Sequence, residues 1–314
     1  MSDVKQEVKE FYNQVGWKLV GEDVYQNARY EDLRPVAREY IHACHARVAR
    51  HLAPQGRLLL DAGSGPVQYP EYLTYSQNYR YRVCADISFT ALVEARRRLG
   101  ERGLYVVCDV ANLPFKADAF DGVVSLHTIH HLPEDEHLNA FRELHRVLLP
   151  ARQAVVVNGW AHSPWLERYE PLVRFAQRTR HLFERLTGQR RPDEPEDPVE
   201  TTRRAARKAE KRAKKQFDKN ARSTHLPQDI PEAPKGTFTN KHNAEWVRRE
   251  VGAEMSVEIL VWRTVTVRFT RALIHSWLGG RLWLRRLFAL EERHPHYYGE
   301  NGKYPLIVIR KMEK

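Results

Sequence analysis

Apolar positions before residue 55 recur at helical spacing. Leu33, Val36, Tyr40, Ile41, Cys44 and Val48 fall on one face, and the pattern predicts helices over 3–20 and 31–52. From residue 57 the period changes. Short leucine-rich and β-branched runs at 57–63 (RLLLDAG), 81–88 (YRVCADIS), 104–110 (LYVVCDV), 120–129 (FDGVVSLHTI) and 153–159 (QAVVVNG) alternate with helical segments near 68–76, 89–100 and 133–149. Strands separated by helices imply parallel pairing with crossover connections, hence a doubly wound α/β sheet.

After residue 160 the alternation stops. An amphipathic, helical 161–188 is followed by the proline- and acid-rich GQRRPDEPEDPVE, a basic stretch and HLPQDIPEAPKGTFTN, a composition that predicts a helical and partly flexible insertion outside the sheet. Regular patterning returns with a helix at 243–251, a strand region at 255–269 and a last strand at 304–311. Between them, RALIHSWLGGRLWLRRLFALEE (271–292) interleaves tryptophan, leucine and arginine. It suits either packing in a cap or contact with a membrane surface, and its charges and Gly279–Gly280 break exclude a membrane span. The resulting organisation is 1–55, N-terminal helices; 56–160, core; 161–242, insertion; and 243–314, completion of the sheet.

Of the 314 residues 42% are hydrophobic, enough for a globular core. The start, MSDVKQEVKEFYNQ, has no continuous apolar segment of a signal peptide, so a cytoplasmic protein is expected, with the membrane surface as an alternative place. Cys44, Cys84 and Cys108 are too scattered for a disulfide framework or a zinc cluster. The formal charge of +11 is uneven: ten basic residues between Arg203 and Arg222 face only Glu210 and Asp218, a net of +8. Such a run fits a solvated helix, an anionic lipid surface, a phosphorylated substrate or nucleic acid. Its single aromatic, Phe217, disfavours a base-stacking site for single strands.

Chemistry concentrates after the first core strand. In LLLDAGSGPVQYPEY (58–72), Gly63 and Gly65 allow a sharp turn and close approach of a ligand to backbone, but Gln68 stands where a dinucleotide site places its third glycine. Asp61 would repel a pyrophosphate and favour a cationic ligand such as an amino-acid ammonium. Asp86, twenty-three residues after Gly63, ends the second core strand, where a carboxylate can accept from both hydroxyls of a ribose. Asp109 ends the third, positioned to accept from an adenine amino group. Each acid alone could simply cap the following helix; the three together at strand ends match ammonium, ribose and base.

These segments resemble those of class I S-adenosylmethionine-dependent methyltransferases, in particular the subgroup similar to ubiquinone and menaquinone biosynthesis methyltransferases. The resemblance rests on LLLDAGSGP, CADIS, CDVANLPF, FDGVVSLHTIHHLP and ELHRVLLPARQAVVV, in order and at family spacing, and covers 55–160 well and the last strands loosely. It implies a mostly parallel seven-stranded sheet of the Rossmann-like methyltransferase kind with a helical cap. It also implies S-adenosyl-L-methionine as cofactor, held by Asp61, Ala62, Gly63, Gly65, Asp86, Ile87, Asp109, Val110 and Leu126. Two positions depart from it: Val67 replaces a frequent third glycine, and LPARQ replaces a KPGG turn before the fifth strand.

The sulfonium methyl is already activated, so the protein must align a nucleophile and, for a neutral oxygen or nitrogen, remove a proton. His127, at the end of the fourth strand, is the candidate base, since an imidazole titrates near neutrality. Asn158, Trp160 and His162 follow the fifth strand as candidates for the acceptor, and Tyr12 and Trp17 lie in an element resembling a lid. Arg29 and Arg34 are candidates for the cofactor carboxylate. The histidines of HTIHH lack a spaced carboxylate or cysteine set, so no metal is expected. The expected function is methyl transfer to a small-molecule or lipid-like acceptor. An RNA methyltransferase using the basic stretch, or a cofactor-binding scaffold without chemistry, are the competing readings, and the oligomeric state is open.

Overall fold

The computed structural model describes residues 2–17, 19–21, 24–25, 31–187 and 237–313. The basic run 203–222, most of the proposed cap and Arg29 lie outside them. The chain opens with α1 (Asp3–Phe11), a π-helical turn (Tyr12–Gly16) and a small antiparallel hairpin of β1 (Leu19–Gly21) and β2 (Val24–Tyr25). The continuous helix expected over 3–20 therefore ends early. α2 (Pro35–Ala46) follows, begun by a proline whose missing N–H costs nothing in a first turn.

The core then alternates: β3 (Gly56–Ala62), α3 (Pro70–Thr74), β4 (Tyr79–Asp86), α4 (Phe89–Leu99), β5 (Gly103–Val107), β6 (Gly122–Leu126), α5 (His137–Val147) and β7 (Gln153–Val157). α6 (Pro164–Thr187) is long, and past the insertion come a helical stretch through Val251, β8 (Ser256–Arg263), α7 (Val267–Leu273), α8 (Gly280–Arg293), α9 (Pro295–Asn301) and β9 (Tyr304–Arg310). Seven strands form one sheet in the order β5-β4-β3-β6-β7-β9-β8. β9 alone in this order runs against its neighbours, pairing antiparallel with β7 and with β8. The doubly wound, mostly parallel sheet matches the expectation.

Successive side chains on a strand point to opposite faces. Leu60, Val123 and Val156 accordingly pack on one side with Phe141 and Leu144 of α5, while Leu59, Val124 and Val155 pack on the other with Leu92 of α4 and Trp262. Both faces are covered, which is why these strands read as nearly unbroken apolar runs. A third cluster gathers Val36, Ala37, Tyr40, Ile41 and Cys44 of α2 against Leu284 and Leu287 of α8. One face of the 271–292 segment is thus packed, and Trp277, Leu278, Leu282 and Leu290 remain exposed. No helix among the described residues is long and apolar enough to cross a membrane.

The strand region expected over 255–269 stops at Arg263. Thr266 accepts the Phe269 N–H at 3.2 Å through its hydroxyl, capping α7 where β-branched alternation had suggested more strand. The strand order reverses between β3 and β6, and in sheets of this type the crevice beyond the carboxyl ends at that point is the natural ligand site.

Candidate functional site

β3 delivers the chain into a tight loop. Gly63 takes φ +77° and Gly65 φ +54°, and a Cβ on Gly63 would stand 2.1 Å from Thr128 Oγ1. Side chains are excluded there by geometry and by contact. Val67 also sits at φ +53° and is fully buried, so the chain keeps the left-handed turn with a valine in the glycine's place.

Asp86, at the end of β4, holds this loop: Oδ2 accepts the Gly65 N–H at 2.8 Å and Oδ1 the Ser88 N–H at 2.8 Å. Each oxygen retains a second lone pair for a ligand. Burial pushes this carboxyl up to about 6 against the opposing effect of those backbone donors. Asp61, by contrast, is balanced inside the protein. Its Oδ2 lies 2.5 Å from Arg82 Nη2, and both residues are buried. Its charge is thus shared with Arg82, which uses Oδ2 only, and Asp61 does line the site.

Asp109 takes the Ala111 N–H on Oδ1 at 2.9 Å and an ion pair from Lys5 on Oδ2. Lys5 also reaches Glu136, so α1 is fastened across the ends of β5 and the turn before α5. The next residues continue the cover. Asn13 accepts from the Ser88 hydroxyl at 2.7 Å, Trp17 would lie 2.9 Å from a Cβ on Gly65, and the Tyr12 and Trp17 rings stack at 5.0 Å. Tyr12 Oη is 2.8 Å from His131 Nε2. Since His131 Nδ1 faces the Phe238 carbonyl at 2.7 Å it carries the proton, and Nε2 accepts from the tyrosine.

Loop, strand ends and N-terminal cover enclose a cavity of about 470 Å³. It is lined by Asp61, Gly63, Gly65, Asp86, Ile87, Asp109, Val110, Leu126, His127, Tyr12 and Trp17 among the residues singled out in the sequence. Ala62 is not on its wall: it is buried in β3, and its carbonyl accepts from Ser125 at 2.8 Å. The candidates after β7 fail for a common reason. Gly159 reaches the cavity and the chain then turns away, its Trp160 N–H donating to the Lys303 carbonyl at 2.9 Å. Asn158 Oδ1 engages His130 Nδ1 at 3.1 Å, Trp160 Nε1 donates to Gly299 at 2.8 Å, and His162 is exposed beside Glu167. Arg34 makes a two-pronged pair with Asp32 at 2.7 and 2.8 Å, away from the cavity.

His127 stands on the cavity wall at φ +57°, its N–H bonded to the Val157 carbonyl at 2.6 Å and its ring edge-on to Trp262 at 5.0 Å. Burial, reinforced by the nearby Arg263 charge, drives its imidazole down to about 3. A base titrating near neutrality is therefore not what the fold provides at this position. His130 and His131 are likewise depressed by burial, His131 to about 4. Among the described residues no group of three or more His, Cys, Asp or Glu is placed to hold a metal.

A second group of lining residues escaped the sequence reading. Arg263, at the end of β8, is ion-paired with Glu31 and lies over the Trp262 and Tyr304 rings at 4.7 Å from each centroid. Burial would raise the Glu31 carboxyl, but Arg263 and His45 together outweigh it and hold the group at about 2. Tyr69, Tyr72, Tyr304, Thr237, Thr239 and Lys241 complete this group. The charged end of the otherwise apolar run ILVWR (259–263) was the visible signal for Arg263; nothing local marked Glu31 or Lys241.

The residues fit S-adenosylmethionine. A glycine cradle that no Cβ could enter, carboxylates with spare acceptor capacity and the buried Gln68 Oε1, unpartnered among the described residues, all border the same space. Comparison with known proteins agrees. A family described as a methyltransferase domain matches residues 60–156. A protein of Mus musculus named "Probable tRNA methyltransferase 9B" is 29% identical over 163 residues, covering 51% of this chain and 35% of that protein. The tRNA (carboxymethyluridine(34)-5-O)-methyltransferase alkbh8 of Xenopus tropicalis is 29% identical over 137 residues, 38% of this chain and 21% of that protein. The chain thus spans about a third or less of the length of these relatives. Geranyl diphosphate C-methyltransferase of Streptomyces coelicolor A3(2) superposes with a TM-score of 0.51 at 14% identity, covering 99% of this chain and 98% of that one, a likeness of fold.

Proposed function

We propose that this chain, whose residues 60–156 are a class I S-adenosylmethionine-dependent methyltransferase domain, transfers a methyl group to an RNA acceptor of the tRNA kind. The observation that carries methyl transfer is the Asp86 clamp: one carboxylate fixes both the Gly65 loop and the start of α4 at the mouth of the cavity. When bound, S-adenosylmethionine supplies an electrophilic methyl on a sulfonium. The chain's own part is to hold, orient and exclude water. Asp86 and Asp109 accept hydrogen bonds, Gly63 and Gly65 admit close approach, and Val8, Phe11 and Leu132 give an apolar lining. α1, Tyr12 and Trp17 cover the site, and the wall from Glu31 to Lys241 faces the acceptor.

Two facts favour RNA over a small or lipid-like acceptor: the names of the relatives that match the core, and the net charge of +8 in 203–222. The enclosed, aromatic-lined cavity favours the small-molecule reading as runner-up. Incubation with radiolabelled S-adenosylmethionine and, separately, total tRNA and a total lipid extract decides between them. Label in tRNA that declines with rising salt supports the proposal. Label only in the lipid phase replaces it by the runner-up, and cofactor binding without label in either favours a scaffold.

A further inference from the structure

The cations on the cavity wall are not equivalent. Lys5 is paired with Asp109 and Glu136, and Arg263 with Glu31. Lys241 has no carboxylate, carbonyl or hydroxyl partner among the described residues, although it is half-buried and borders the cavity. Its amine lies beside Gly159, where the chain leaves β7 for the cavity: Lys241 Nζ is 3.5 Å from where a Cβ on Gly159 would stand.

A partly desolvated ammonium without a counter-charge is a cost that folded proteins ordinarily avoid. The surroundings do not relieve it. Burial lowers the Lys241 amine below its ordinary range, and Lys241 in turn helps keep His127, His130 and His131 uncharged. Lys303, the other nearby amine, donates to the Trp160 carbonyl at 2.5 Å. Glu31, the carboxylate on this wall, is committed to Arg263 and lies within 3.6 Å of His45. Among the described residues the acceptor side of the cavity therefore carries one positive charge without a counter-charge, that of Lys241.

We propose that Lys241 is the contact for an anionic oxygen group, carboxylate or phosphate, on the methyl acceptor. The inference rests on the reading of this cavity as the methyl-transfer site and adds the charge of the acceptor to it. Lys241 acts here as a specificity residue: it anchors the anion and leaves the cofactor contacts untouched.

The experiment uses the full chain with its lysines reductively methylated with ¹³C, with and without S-adenosylhomocysteine, the Lys241 resonance being assigned by its absence in Lys241→Arg. Inorganic phosphate and sodium acetate are titrated separately, so that the two arms distinguish the sources of the oxyanion. The expected result is a saturable shift of the Lys241 resonance by one of them, at a concentration at least threefold lower than for any other lysine. A Lys241 resonance that neither anion moves, or that moves only in step with the surface lysines, overturns the proposal. In parallel, Lys241→Met should bind S-adenosylhomocysteine within twofold of wild type in calorimetry. Transfer to total tRNA should show KM raised at least tenfold in Lys241→Met and partly restored in Lys241→Arg. Unchanged KM in Lys241→Met also overturns it. A wild type that methylates no tRNA refutes the RNA reading, while the anion titration still decides the role of Lys241.

Discussion

Arg82 and Asp61 face each other on adjacent strands, Nη2 2.5 Å from Oδ2, with 1% and 3% of their surfaces exposed. Arg82 also donates through Nη1 to the Tyr72 carbonyl at 2.5 Å, so it ties the first acid of the loop to the segment that follows. Removing one partner leaves a buried charge alone. Arg82→Met should therefore destabilise the fold by about 3–5 kcal/mol in denaturant titration, and Asp61→Asn in the same chain should recover part of it. Additive losses would show that the pair is not coupled.

Asp86 should control cofactor affinity. Asp86→Asn should raise the S-adenosylmethionine Kd at least tenfold, since a hydrogen bond to a charged group is worth about 1.5–3 kcal/mol. Because burial places this carboxyl at about 6, and ribose hydroxyls donate to the ionised form, wild-type affinity should fall as pH drops from 7 to 5. Calorimetry across that range should show a flatter profile for the variant.

Gly63→Ala should cripple binding without unfolding the sheet. The alanine must adopt φ +77° and its methyl must displace Thr128, whose Oγ1 donates to the Gly63 carbonyl at 3.2 Å. Strain of about 1–3 kcal/mol at this position should appear as a loss of affinity far larger than the loss of stability.

His127→Asn should retain most of the methyl-transfer rate, because an imidazole held at about 3 is a poor base at neutral pH. The wild-type pH–rate profile between 6 and 8 should contain no limb that this variant abolishes. A limb near 6.5 that disappears would restore His127 as the base.

Lys5→Met should loosen the cover. With the contacts to Asp109 and Glu136 gone, amides of residues 3–16 should exchange faster with solvent while those of β3 and β4 do not change. Equal acceleration everywhere would mean that Lys5 supports the whole fold rather than the cover.

The sheet was legible because its strands are buried on two faces and so consist of apolar runs; Leu59–Leu60, Val123–Val124 and Val155–Val156 each send neighbours to opposite sides. The cofactor side was legible because turn geometry demands glycine and strand ends expose acids. The acceptor side was not. Glu31, Arg263 and Lys241 come from three distant parts of the chain and meet only through tertiary packing, while Asn158, Trp160 and His162 follow the expected strand but turn off it after Gly159. Local alternation also misled at 267–269, where the Thr266 cap prevailed over β-branched residues.

β9, inserted between β7 and β8, settles the order in which the site can be assembled during synthesis. β3, β4, β5 and β6 can pair as soon as they emerge, and with them the loop that Asp86 holds. β8 has β9 as its partner in the sheet, so Arg263 must wait for Tyr304–Arg310 before it can take its place. On the proposed function, the half assigned to the methyl donor can form first, and the wall assigned to the acceptor is completed last.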